Sequence, residues 1–233
     1  MEQVIFLYKL LLKMYNLHII LCRIFALKSV FRRKGSIMKK HLIITGPSGC
    51  GKTTLIREVL GSSIAYAGGF ITERKLKADG SLEGFDIYPA AAAADMSSYT
   101  GQRFISKTVL GLSKDTEVFR NYGVQLLNEA AYYPFIMLDE FGGFDVLIPQ
   151  FRNAIAEVFN LDTPIIAVMK STSNVKEVRK NFHLGPRFTQ TVEIVKTALA
   201  NDVDTQIIEM KKPGDKKVRA AIELWAEEYI NVR

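Results

Sequence analysis

Gly46-Pro47-Ser48-Gly49-Cys50-Gly51-Lys52-Thr53 is the stretch that decides how this 233-residue chain is read. It fits G-x-x-x-x-G-K-[ST] in full. Its glycines let successive backbone N–H groups converge on one anion with no side chain in the way. The flanks agree. Leu42–Thr45 is a short apolar, β-branched run that reads as a buried strand. Thr53–Leu60 has helical character and stops at Gly61, a residue suited to a helix C-terminus. A helix beginning at Lys52 points its positive end at the same anion. Lys52 brings a full charge to the β- and γ-phosphates of a nucleotide, and the Thr53 hydroxyl is placed to ligate Mg²⁺. Cys50 stands at a variable position of the pattern. It reads either as a tolerated small residue or as a thiol acidified by the helix terminus and open to oxidation.

Outward along the chain, Phe135-Ile136-Met137-Leu138-Asp139-Glu140 is an apolar strand that delivers two carboxylates at its C-terminal end. Ligands of open α/β sheets bind at that edge. Asp139 is expected to hold Mg²⁺, directly or through water. Glu140 is expected to orient and deprotonate an attacking water. Asp139-Glu140-Phe141-Gly142 also fits the D-x-x-G of GTP-binding switch proteins, but no N-K-x-D follows: Asn201-Asp202-Val203-Asp204 lacks the lysine. The L-S-G-G-Q signature of transporter ATPases is absent as well.

Other elements fill in around these two. Gly68-Gly69-Phe70-Ile71-Thr72 and Gly84-Phe85-Asp86-Ile87-Tyr88 flank a polar segment containing Asp79-Gly80 and predict a β-hairpin. Helices are predicted over Val124–Ala131, Phe151–Phe159, Val175–Lys180 and Lys217–Tyr229, the last holding Trp225, the single tryptophan. Further strands are predicted over Pro164–Met169 and Gln206–Met210. Residues 98–118 give weak signals, and the Ala90–Ala94 run is assigned no function. Apolar strands alternating with helices imply a parallel sheet covered on both faces, in one domain spanning 38–233.

The chain resembles the small P-loop nucleoside-triphosphatases of archaea and bacteria, the group that includes the human cancer-related nucleoside-triphosphatase. Four features carry the resemblance in order: the loop Gly46–Thr54; Gly68–Thr72 with Gly84-Phe85; Asn121-Tyr122-Gly123-Val124; and Leu138–Gly142. It implies a RecA-like α/β fold and slow, Mg²⁺-dependent hydrolysis of several NTPs, ATP and GTP among them, to NDP and phosphate. It implies that Gly46, Pro47, Ser48, Gly49, Cys50, Gly51, Lys52, Thr53 and Thr54 bind nucleotide. Thr53 and Asp139 would hold the metal, with Lys52 and Glu140 catalytic. The sequence departs from the family at Gly143-Phe144-Asp145 and over residues 186–205, which read as divergent or inserted.

Two alternatives share the loop: a nucleoside or nucleotide kinase, and an NTP-dependent switch or adaptor with slow hydrolysis. Glu140 favours water as the acceptor. An arginine near the γ-phosphate accelerates such chemistry, and Arg74, Arg103, Arg120 and Arg187 are candidates. Lys170, at a strand end on the ligand-binding edge, is another. Nothing obvious reads the base, and a hydrophobic slot with an aromatic from the C-terminal segment would give broad NTP use.

Charge and cysteine usage narrow the partners. Of the net charge of +7, all but one unit falls in residues 1–37, where seven lysines and arginines face Glu2 alone. The nearly neutral body gives no reason to expect a nucleic-acid partner. Residues 1–37 read as a cationic amphipathic helix, which would touch a membrane surface, or as a misassigned start ahead of Met38. Two cysteines, Cys22 and Cys50, and three scattered histidines form no disulfide or zinc framework and suit a reducing cytoplasm.

Overall fold

The computed structural model describes residues 38–230. The two readings of residues 1–37, and Cys22 with them, lie outside the described residues.

Eight strands make one sheet, β1 (His41–Thr45), β2 (Ala67–Leu76), β3 (Leu82–Pro89), β4 (Gln102–Thr108), β5 (Gly111–Lys114), β6 (Phe135–Phe141), β7 (Ile165–Met169) and β8 (Thr205–Glu209). Their spatial order is β5-β4-β3-β2-β6-β7-β1-β8. β2, β6, β7, β1 and β8 pair in parallel, and β3, β4 and β5 extend the sheet antiparallel. The longer α-helices are α1 (Lys52–Leu60), α2 (Val124–Glu129), α3 (Pro149–Val158), α4 (Thr172–Asn181), α5 (Pro186–Asn201) and α6 (Lys216–Tyr229). A π-type turn, Phe119–Gly123, leads into α2.

The central strands are apolar throughout because both faces are covered. Within β1, Leu42 and Ile44 turn to one face while Ile43 turns to the other. β6 and β7 alternate likewise: Leu138 and Ala167 join Ile43, and Met137 and Val168 join Leu42 and Ile44. On the first face α1 and α6 close the core. Val218, Ile222, Trp225 and Ala226 fall at i, i+4, i+7 and i+8, one stripe of α6. α2 and α3 close the other face, where Phe119, Phe151 and Phe159 are among seven buried phenylalanines.

The parallel core and its two helical layers match the expected architecture, with an addition the weak signals of 98–118 concealed. Those residues form β4 and β5, an antiparallel hairpin at the sheet edge. Its strands are only half-buried, so the apolar alternation that marks an inner strand is diluted. The stretch read as divergent, 186–205, is a 16-residue helix for most of its length. Pro186 sits in its first turn, where its missing N–H costs nothing, and Phe188, Val192 and Leu199 are its buried apolar positions. Hairpin β2–β3 is longer than expected, its strands running to Leu76 and from Leu82 around Asp79-Gly80.

Candidate active site

The site lies at the C-terminal ends of β1, β6 and β7. Gly46 opens the loop with φ +148°, and a Cβ there would stand 2.2 Å from the carbonyl oxygen of Met210, just past β8. Only glycine lets these two segments approach so closely. Lys52 is buried, its ammonium donating to the carbonyls of Pro47 at 2.7 Å and Gly46 at 3.2 Å. The loop therefore already encloses the charge that an incoming anion would meet. Cys50 is buried in the same turn, 3.7 Å from Met210 O and from Lys52 Nζ.

β7 lies between β1 and β6, yet loop and acidic strand meet: Thr53 Oγ1 donates to Asp139 Oδ1 at 2.6 Å. A bulge in β6 supports this. Leu138 pairs with Ala167 and Phe141 with Met169, so Asp139 and Glu140 together oppose Val168 alone. In a regular strand two successive side chains point to opposite faces. A bulge re-aims one of them, and Glu140 takes the left-handed conformation, φ 60°. Asp139 accordingly faces Thr53 while Glu140 faces the end of β7, where Lys170 Nζ donates to its Oε2 at 2.8 Å.

The two carboxylates differ electrostatically. Burial, then the neighbouring charge of Glu140, push Asp139 up to about 6; the Thr53 hydrogen bond, Arg57 and the Thr72 backbone oppose the shift only in part. Burial acts on Glu140 in the same direction, but Lys170, by charge and hydrogen bond, and Lys52 outweigh it and hold Glu140 below the usual range. Asp139 is thus a buried carboxylate short of positive charge, while Glu140 is ionised at neutral pH. A hydroxyl and a carboxylate oxygen side by side suit a hard cation that keeps several of its waters. Among the described residues no cluster of three or more His, Cys, Asp or Glu forms an all-protein metal cage. A second buried acid, Asp145, accepts from the Gly142 amide at 3.0 Å and fixes the turn after β6; burial raises its pKa.

Lys170 is brought into the site; the four arginine candidates are otherwise placed. Arg103 is paired with Asp86 and Glu83, and Arg120 with Glu117. Arg74 and Arg187 are exposed. Sequence reasoning missed Arg57, which pairs with Glu73 and favours the charge on Asp139. Its spacing, one helical turn beyond Thr53, was the available signal. The C-terminal aromatics are not at the site. Trp225 is fully buried against Phe135, its Nε1 donating to Lys40 O, and Tyr229 donates to Met38 O. Both belong to the opposite end of the sheet.

Residues 41–201 match the profile of a family described as NTPase. The chain belongs to this family. The NTPase match takes in the loop, the bulged acidic pair and Lys170. Among curated relatives, the nucleoside-triphosphatase THEP1 of Thermotoga sp. strain RQ2 is 31% identical over 137 residues, 57% of this chain and 75% of that protein. The cancer-related nucleoside-triphosphatase homolog of Mus musculus is 29% identical over 166 residues, 61% of this chain and 84% of that protein. The crystal structure of THEP1 from Aquifex aeolicus superposes with a TM-score of 0.51 at 20% identity, covering 78% of this chain and 96% of that one. That likeness bears out the P-loop α/β fold. Among the described residues no helix is long and apolar enough to cross a membrane.

Proposed function

We propose that this NTPase-family protein hydrolyses nucleoside triphosphates, ATP and GTP among them, to NDP and phosphate, and that it does so with Mg²⁺. The observation that carries the reading is the β6 bulge, which gives one carboxylate to Thr53 and the other to Lys170. Gly46, Pro47, Ser48, Gly49, Cys50, Gly51, Lys52, Thr53 and Thr54 form the nucleotide-binding segment. Backbone amides of the loop and the Lys52 ammonium take the β- and γ-phosphates, exchanging the carbonyl contacts of Lys52 for phosphate oxygens. Thr53 and Asp139 would hold Mg²⁺, which neutralises phosphate charge when bound.

Glu140 orients a water and accepts its proton as the oxygen attacks the γ-phosphorus. The bond to the β,γ-bridging oxygen breaks and NDP leaves. Lys170 keeps Glu140 ionised before the reaction and stands next to the charge that builds on the γ-phosphoryl group. It supplies the positive charge that an arginine supplies in other phosphoryl-transfer sites. Measuring phosphate release with each NTP tests the reading. Glu140→Gln should keep nucleotide binding and lower release by about 10²–10⁴-fold. Unchanged release in that variant would remove Glu140 from the chemistry.

A further inference from the structure

Beside Glu140 the protein holds more room than water needs. A cavity of about 170 Å³ opens there, bounded at one end by Ser48 of the loop, Glu140 and Lys170. Seven phenylalanines line it, Phe85, Phe104, Phe119, Phe144 and Phe182 forming one side, and Asp145, Asn174, Glu177 and Asn181 add polar groups. The rings form a continuous wall. Phe85 and Phe104 lie 6.4 Å apart by centroid, Phe104 and Phe119 5.0 Å, Phe119 and Phe144 5.7 Å, and Phe144 and Phe182 5.3 Å. The wall is assembled from β3, β4, the π-type turn before α2, the segment after β6, and the end of α4. The antiparallel extension of the sheet thus supplies one side of the cavity.

A water molecule claims about 30 Å³ of liquid volume, and an apolar cavity of about 150 Å³ accepts benzene. The space beside Glu140 is therefore ring-sized. The nucleobase is a poor occupant. The cavity shares its polar end with Glu140 and Lys170, the γ-phosphate end of the proposed site, and a base lies three phosphates away from there. An anionic ring is also a poor occupant, since the lining sets three carboxyl side chains, Glu140, Asp145 and Glu177, against Lys170 as its one cation. Offset and edge-on contacts with a neutral ring are what the phenylalanine faces and edges provide.

We propose that this cavity is an acceptor pocket for a neutral single-ring aromatic alcohol, whose hydroxyl takes the place of water beside Glu140. The proposal rests on the phosphohydrolase reading of the loop and of Glu140. In the step, the alcohol oxygen forms a bond to the γ-phosphorus and passes its proton to Glu140. The bond from that phosphorus to the β,γ-bridging oxygen breaks, and its electron pair leaves on NDP. The products are NDP and a phosphate monoester, with no other reactant consumed. The protein would hydrolyse NTP slowly when the pocket holds water and transfer phosphate when it holds the alcohol.

The test incubates the purified protein with ATP, Mg²⁺ and benzyl alcohol or 3-pyridinemethanol. NDP and free phosphate are measured separately, and the monoester is detected by ³¹P NMR. The expected result is NDP in excess of phosphate by the amount of monoester formed. Leu112→Trp, which fills the cavity from β5, should lower the ratio of monoester to phosphate at least about tenfold. Val178→Phe, which fills it from α4, should do the same and keeps the test decisive if the first variant does not fold. Equal NDP and phosphate with both alcohols overturns the proposal and leaves the hydrolase reading standing. So does monoester formation that neither filling reduces. No NDP from ATP in any condition would remove the hydrolase reading, and the acceptor pocket with it.

Discussion

Lys170 Nζ donates to Glu140 Oε2 across 2.8 Å, tying the end of β7 to the bulged end of β6. The pair is half-buried on both sides, so solvent screens it less than a surface ion pair. It holds Glu140 ionised and in one orientation, as the proposed base requires.

Removing Lys170 should therefore do two separable things. Glu140 lies below the usual carboxylate range because Lys170, and secondarily Lys52, outweigh its burial. Without Lys170 the burial effect gains ground and the Glu140 pKa rises. A base works in its deprotonated form, so the acidic limb of the kcat–pH profile should move to higher pH in Lys170→Ala. Loss of charge beside the γ-phosphoryl group should also lower kcat on the plateau, by about 10²–10³-fold if Lys170 acts as one electrostatic stabiliser. Lys170→Arg should return the limb toward its wild-type position. A limb that stays in place in the alanine variant would mean that Glu140 is not the titrating base.

Two loop glycines give a second test, because they differ in what a Cβ would meet. At Gly46 it would stand 2.2 Å from Met210 O, a backbone atom that cannot move aside cheaply. At Gly49, φ +73°, nothing lies within 4 Å. Gly49→Ala should cost only its backbone conformation, about 1–2 kcal/mol. Gly46→Ala should cost more and should also spread the loop from the β8 edge, weakening NTP binding. Thermal melts and nucleotide titrations of the two variants side by side check the order. Equal losses would mean that conformation, not contact with Met210, is what requires glycine at the head of the loop.

The phosphate loop and its flanking strand and helix were legible because their determinants are contiguous: the 19 residues Leu42–Leu60 carry the glycines, the lysine and both apolar runs. The acidic pair was legible as a strand end. How both carboxylates reach one site was not legible, since the bulge is a property of β6 against β7, and β7 comes some 25 residues later. Lys170 could be placed on the correct edge but not given its partner, for the same reason. Arg57 was not legible because its approach to Asp139, 82 residues on, exists only in the folded chain. β4 and β5 were obscured by half-exposed faces, and the phenylalanine wall by its assembly from segments nearly 100 residues apart.

The C-terminal aromatics serve the fold and not the nucleotide end of the sheet. Trp225 fills the core against Phe135 and bonds to Lys40 O at 3.0 Å, away from the nucleotide edge. Trp225→Phe loses that hydrogen bond and leaves a partial void, so it should destabilise the fold by about 1–3 kcal/mol. At temperatures where the variant is folded, KM for NTP should be unchanged. Denaturant melts give the first quantity and steady-state kinetics the second. A raised KM with an unchanged melt would restore Trp225 as a base platform.

Asp139 provides the sharpest test of the metal assignment. Its carboxyl is pushed up from 3.8 to about 6, chiefly by burial and then by Glu140. Between those two values the folded protein binds more protons at this site than the unfolded chain, so stability of the metal-free protein falls as pH rises through the window. Above about 6 the carboxylate is charged in both states and the penalty is complete. A shift of this size corresponds to at most about 3 kcal/mol. Asp139→Asn removes the charge, and its side-chain oxygen can still accept from Thr53. In EDTA near neutrality this variant should melt above the wild type, and the gap should close as the pH is lowered toward 4. Mg²⁺ added with nucleotide should then stabilise the wild type and leave the variant nearly unchanged, because only the carboxylate gives the cation a charged ligand. Equal stabilisation of both proteins by Mg²⁺ would place the metal elsewhere, and a variant that melts below the wild type in EDTA would mean that Thr53 and Arg57 already compensate the charge.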